Sequence, residues 1–184
     1  MPSFAKAFFA TALAAALTGC ESYQTGSSVP LELRTISVPT FENASGYPQI
    51  EAITTQAVLS EFRREGTMQI VDRENAALEV VGRITSCKLE PMNYDHNRPY
   101  LSVEYRLVVT ADVKVYECAT GKVMTRLVKV TGDDIFRTQS DLPSTQRDAL
   151  PRAAARLARA IVNGTVNCWW PEPPDPVPQK TATP

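Results

Sequence analysis

The longest unbroken pattern in the chain is an alternation of apolar and polar positions from Leu101 to Glu117. Leu101, Val103, Tyr105, Leu107, Val109, Ala111, Val113 and Val115 point one way. Ser102, Glu104, Arg106, Thr110, Asp112, Lys114 and Tyr116 point the other, with Val108 the exception. A period of two sustained this long predicts a strand with one buried and one wet face, as in an antiparallel sheet. Ala119-Thr120-Gly121-Lys122 reads as a hairpin turn with glycine at a positive-φ position. Val123 to Phe136 is then the returning strand, and its poor pattern suits an edge. Leu78 to Leu89 reads as a further strand with apolar residues on both faces, which leaves its register open. Leu31 to Val38, ended by Pro39, and Met68 to Val71 are shorter strands. The first changes its apolar side midway, so its buried face is also open.

Two stretches switch to a helical period. Ile50, Ile53, Ala57, Val58 and Phe62 recur at helix spacing between Pro48, suited to a first turn, and Gly66, suited to a left-handed cap. They predict a helix over about 48–65. Leu150, Ala154, Leu157, Ala158 and Ile161 form a second stripe, in a region that begins at Ser140 to Ser144 and ends near Asn163-Gly164 or Val166. Pro151 lies inside it, so either the helix kinks there or its regular part starts there. Polar turn formers fill 42–46 and 72–75, and Pro91 to Pro99 reads as a loop. The order strand, helix, strands, helix predicts an α+β two-layer sandwich. In it, a mainly antiparallel four-stranded sheet carries two helices on one face.

The ends of the chain differ from this middle. An apolar run from Ala7 to Leu17, broken only by Thr11, is too short to span a bilayer, which takes about 20 residues. It closes on Leu17-Thr18-Gly19-Cys20, a secretory pattern that resembles the bacterial lipobox. That resemblance implies cleavage before Cys20, a diacylglycerol on its thiol, and an amide-linked third chain, together a firm anchor. Glu21, in place of the aspartate that retains enterobacterial lipoproteins at the inner membrane, implies outer-membrane sorting. The expected organisation is a signal peptide over 1–19, a tether over 20–30, a folded domain over 31–168 and a tail over 169–184. The tail carries six prolines from Pro171 onward. Trp169 and Trp170 precede them, and either cover an edge of the domain or touch the membrane interface.

Composition narrows the chemistry. A net charge of −1 does not advertise a nucleic-acid partner. About 140 folded residues suit one domain with one core. Lipidation of Cys20 leaves Cys87, Cys118 and Cys168 in an oxidising compartment, where one disulfide can form and one thiol must remain. A final helix of some 20 residues covers about 30 Å and returns to the 119–122 turn, so Cys118–Cys168 is the expected pair, with Cys87 free and buried. These spacings do not suit a metal. The lone histidine, His96, sits in a loop. The glycines are isolated rather than gathered in a phosphate loop, and Asp133-Asp134 reads as a strand end. No nucleophile, base and orienting acid can be assembled, so a binding or structural role is expected, with no cofactor and no catalytic residue. Arg152, Arg156 and Arg159 recur at i, i+4 and i+7 beside the apolar stripe. The plain reading is a solvated helix face; the sharper one is contact with an anionic partner such as a lipid phosphate. Lys88, Arg98 and Arg126 are weaker candidates.

Several segments together resemble the LptE family of outer-membrane lipoproteins. They are Ile36-Ser37-Val38-Pro39-Thr40-Phe41-Glu42-Asn43, Glu61-Phe62-Arg63-Arg64-Glu65-Gly66, Val71-Asp72-Arg73 and Val80-Val81-Gly82-Arg83-Ile84. Val103-Glu104-Tyr105-Arg106-Leu107, followed by Thr120-Gly121-Lys122-Val123, adds the long hairpin. The resemblance implies two helices on a four-stranded sheet, residence inside the LptD β-barrel, lipopolysaccharide as second partner and an outer-membrane address. It supplies no catalytic residues. The first half also resembles the N-terminal module of TolB and the CsgG-type secretion lipoproteins, which implies an envelope-assembly accessory instead. The long continuous hairpin favours the first.

Overall fold

The computed structural model describes residues 29–94, 102–137 and 141–168. After a 3-10 turn at Leu31–Leu33 come β1 (Thr35–Ser37), β2 (Glu42–Asn43), α1 (Ile50–Glu65), β3 (Gln69–Ile70), a second 3-10 turn at Arg73–Asn75, β4 (Leu78–Tyr94), β5 (Ser102–Glu117), β6 (Val123–Arg137) and α2 (Leu142–Val166). The two helices and the long hairpin stand where the sequence puts them. The sheet does not match the expected four antiparallel strands. Among the described residues it has six strands and is mixed, in the order β3-β1-β4-β5-β6, with β2 paired to β4 beyond β1. β1 runs parallel to both β3 and β4, and β2 parallel to β4. Parallel neighbours need a crossover connection; α1 supplies it, carrying the chain from the β1–β2 edge back to β3.

β5 keeps its alternation throughout its described side chains: Leu107, Val109, Ala111, Val113 and Val115 are all fully buried. Its neighbours do not. β4 buries Leu78, Val80 and Ile84, then shifts register between Ile84 and Ser86. Beyond that bulge Cys87 and Leu89 take the core side instead. β6 makes the same change between Leu127, opposite Val113, and Val130, opposite Ala111. Lys129 there adopts φ 53°, and its N–H donates to Asp112 Oδ1 at 2.7 Å. An extra residue in one strand switches every later side chain to the other face. This is why both strands look apolar on two sides in the sequence. β6 is the edge strand, as its pattern suggested. β4 continues through Pro91 to Tyr94, where a loop was expected, and the rest of that loop lies outside the described residues.

Both helices cover one face. α1 buries Ile50, Thr54, Thr55, Val58 and Phe62 and ends at Gly66, whose φ is 81°. α2 is continuous through Pro151, which is exposed on its outer side, so the carbonyl left without a partner can meet water. α2 buries four alanines, Ala149, Ala153, Ala154 and Ala158, among larger residues. That small-residue face lets it approach the sheet closely. A Cβ built on Gly132 of β6 would lie 2.2 Å from the Leu157 backbone nitrogen and 2.4 Å from the Ala153 carbonyl oxygen. Only glycine fits there. On the far side of the core the Phe41 ring occupies the space a side chain on Gly82 would need.

Candidate functional site

The arginines of α2 meet β6 at Asp133 and Asp134. Asp134 shares the buried parity of Val130, Gly132 and Phe136, and is only 3% exposed. A carboxylate taken from water needs charged or hydrogen-bonding partners. Arg152 Nε donates to Asp134 Oδ2 at 2.7 Å, and Arg156 Nη2 lies 3.3 Å from Oδ1. Arg156 Nη1 also donates to the Asp133 carbonyl oxygen at 2.6 Å. On the opposite face of β6, Arg106 Nε donates to Asp133 Oδ2 at 2.8 Å. Adjacent carboxylates thus each take arginine partners, one above the sheet and one below. The pair does more than end a strand, and Arg152 and Arg156, whose side chains stay about half exposed, also fasten α2 to the edge strand. Arg159, one turn on, is exposed. Its charge helps hold the Glu61 carboxyl below the ordinary carboxylate range, behind the larger effect of the Arg64 hydrogen bond.

Among the described residues, no helix lies on the other face of the sheet. Lys88, Glu90 and Arg126 lie exposed on it, and Glu104 pairs with Arg137 at 3.3 Å. Among these charges stand apolar residues open to solvent, including Val81, Val128 at 60% and Ile135 at 50%. At the hairpin end an open groove of about 900 Å³ is lined by Arg73, Glu79, Val81, Tyr116 and Cys118. Arg73 and Glu79 pair within it at 3.0 Å. A second groove, of about 560 Å³, lies between the helices along Ile53, Ala57, Pro151 and Ala155. Among the described residues no cluster of histidine, cysteine or carboxylate side chains has metal-binding geometry, and no helix is long and apolar enough to cross a membrane.

The expected Cys118–Cys168 bridge is not formed: Cys87, Cys118 and Cys168 are free thiols. α2 does return to the hairpin end, so the length argument holds. The pleat separates the two sulfurs, however. Cys118 is exposed and faces the open-face groove, whereas Cys168 packs against the core on the helix side, its Sγ–H donating to the Thr165 carbonyl at 3.1 Å. Burial pushes the Cys87 thiol up to about 11. It also raises those of Cys118 and Cys168; Glu79 adds to the first, and a hydrogen bond with Thr125 partly offsets the second. None has the lowered pKa of a nucleophilic thiol. Cys20, His96, Arg98, Trp169 and Trp170 lie outside the described residues.

Sequence reasoning missed Asp134. The available signal was its parity: it stands two residues from Gly132 and two from Phe136 on one side of a strand, so a charge there had to find partners.

The chain is similar in structure to a minor lipoprotein from Acinetobacter baumannii, at 14% identity and a TM-score of 0.52, covering 74% of this chain and 94% of the other. It also matches the rare lipoprotein B of Shewanella oneidensis, at 17% identity and a TM-score of 0.40, covering 72% and 97%. The PelC dodecamer from Paraburkholderia phytofirmans matches at 14% identity and a TM-score of 0.41, covering 72% and 94%. No curated protein sequence matches. The sequence model of LptE, the lipopolysaccharide-assembly family, spans residues 33–164, from the first turn to the last of α2. The chain belongs to the LptE family.

Proposed function

We propose that this protein is a lipid-anchored component of the outer membrane that plugs and steadies an LptD-type β-barrel and takes part in delivering lipopolysaccharide. The observation that carries the reading is the family match over the whole α+β domain. The sheet face opposite the two described helices, with apolar residues set among paired charges, is a surface suited to a close-fitting polar wall rather than to bulk water alone. Cys20 bears the acyl chains, residues 20–30 tether the domain, and no covalent chemistry is required of it. Arg152 and Arg156 are committed to Asp134, so on this reading lipopolysaccharide contact falls to the exposed Arg159.

Affinity capture from solubilised membranes tests the proposal. Recovery of a large β-barrel protein, together with lipopolysaccharide accumulating in the periplasm on depletion, is the expected result. Recovery of a ring of the protein's own copies would favour the secretion-accessory reading. Cys20→Ala should release the protein from membranes.

A further inference from the structure

Charges on the open face of the sheet mostly stand in opposite-sign pairs. Arg106 holds Asp133 at 2.8 Å, Arg137 holds Glu104 at 3.3 Å, and Arg83 lies 3.5 Å from Glu42. Lys88 has Glu90 two residues along the same side of β4. One place departs from this. Lys114 of β5 and Arg126 of β6 are both exposed and directly opposite in register. Residues so opposed have Cβ atoms about 4.5–5.5 Å apart, and like charges there repel. Neither cation forms an ion pair among the described residues. The flanking acids are already engaged. Asp112, two residues before Lys114, accepts the Lys129 N–H at 2.7 Å and is in register with Arg83. Glu79, in register with Tyr116 two residues after Lys114, pairs with Arg73 at 3.0 Å.

Exposed apolar side chains frame the two cations. Val81 is in register with Lys114 from the β4 side, Val128 lies two residues beyond Arg126, and Val123 is in register with Tyr116. Apolar side chains grouped this way on a surface mark a place where another surface docks. Whatever covers the valines also takes water from the cations between them. A cation removed from water is costly unless a counter-charge or hydrogen-bond acceptors replace the water. The covering surface must therefore supply the negative charge that this face lacks.

We infer that Lys114 and Arg126 form a two-cation clamp for a carboxylate of the barrel's inner wall, an aspartate or glutamate seated between them. The inference rests on the barrel reading and deepens it by naming the chemistry of one contact. An outer-membrane barrel turns polar side chains inward, so its wall can present such an acid. The planar guanidinium of Arg126 can donate to both carboxylate oxygens, and Lys114 adds a compact charge from the neighbouring strand. The two cations repel each other in the free protein and are neutralised in the complex. The same pair thus lowers the stability of the protein alone and strengthens its grip on the barrel.

Two measurements on the same variants test this. Arg126→Glu turns the repulsion into a cross-strand ion pair, and Lys114→Thr/Arg126→Thr removes both charges. Each purified full-length variant, free of the barrel, should melt about 1–4 °C above the wild type. In affinity capture from solubilised membranes, the barrel recovered per copy of Arg126→Glu should fall at least about tenfold, and that of the neutral variant by less. A more stable protein that binds its partner worse is the expected signature, and misfolding cannot imitate it. Variants no more stable than the wild type overturn the claim of repulsion and the inference with it. Variants that capture the barrel as well as the wild type overturn the inference alone. So do variants that keep the barrel but lose co-purifying lipopolysaccharide, because the cations then serve a phosphate. A wild-type protein that captures no barrel overturns the barrel reading itself.

Discussion

The two helices lie side by side on one face of one sheet, yet they are attached by different means. α2 is locked to β6 by proximity: a glycine admits its backbone, four alanines line its inner surface, and two arginines reach over to a buried carboxylate. α1 packs chiefly against α2 and the short strands. Its buried face includes two threonines. Thr55 Oγ1 accepts from the Phe41 N–H at 3.0 Å and donates to the Glu51 carbonyl at 2.7 Å. Thr54 Oγ1, fully buried, has no hydrogen-bond partner. The difference teaches that α2 and β6 act as one fitted unit, intolerant of added atoms, while α1 is a packed cover with some slack in it.

Five variants and one labelling experiment can break that contrast. The largest effect belongs to Gly132→Val, which puts atoms where the α2 backbone stands and should cost more than about 4 kcal/mol, read as loss of the cooperative unfolding transition. Next is the charge pair, where direction matters. Arg152→Ala/Arg156→Ala strands Asp134 without a partner and should cost about 3–5 kcal/mol in denaturant unfolding. Asp134→Ala leaves half-exposed arginines that water can re-solvate, and should cost clearly less. Equal losses would refute the claim that the buried carboxylate is the vulnerable member. On the α1 side, Thr55→Val leaves the Phe41 N–H unpaired and should cost about 1–3 kcal/mol. Thr54→Val removes an unpaired buried hydroxyl, so it should be neutral or stabilising by under about 1 kcal/mol; a marked loss would reveal a partner for that oxygen. The smallest effect is none at all. Alkylating Cys118 in the folded protein should leave stability unchanged, while Cys87, half-buried with its thiol pushed up to about 11, should react only as the chain unfolds.

How much of this was legible depended on length of pattern. β5 carries 16 residues of one rhythm and α1 16 of another, and both were readable. β1, β2 and β3 have three, two and two residues. Segments that short hold no period: β1 and β3 fall inside stretches read as strands, but β2 lies in the stretch 42–46 read as turn formers, and the parallel pairing could not be seen. In β4 and β6 the rhythm exists on each side of a bulge but changes phase across it, and averaging the two phases looks like no pattern. The arginine row was visible, but its purpose was not, because a helix wheel does not say which carboxylate of a neighbouring strand lies beneath it.

The bulges in β4 and β6 fall at nearly the same height on either side of β5, near Thr110 to Asp112. Each flanking ribbon can therefore mate with the central one in a single frame. A slide by two residues, which would keep every apolar side chain inward, would set a kink against straight backbone. The hairpins are thus keyed against slippage twice over, and deleting Thr85 or Lys129 should free the frame before it weakens the core.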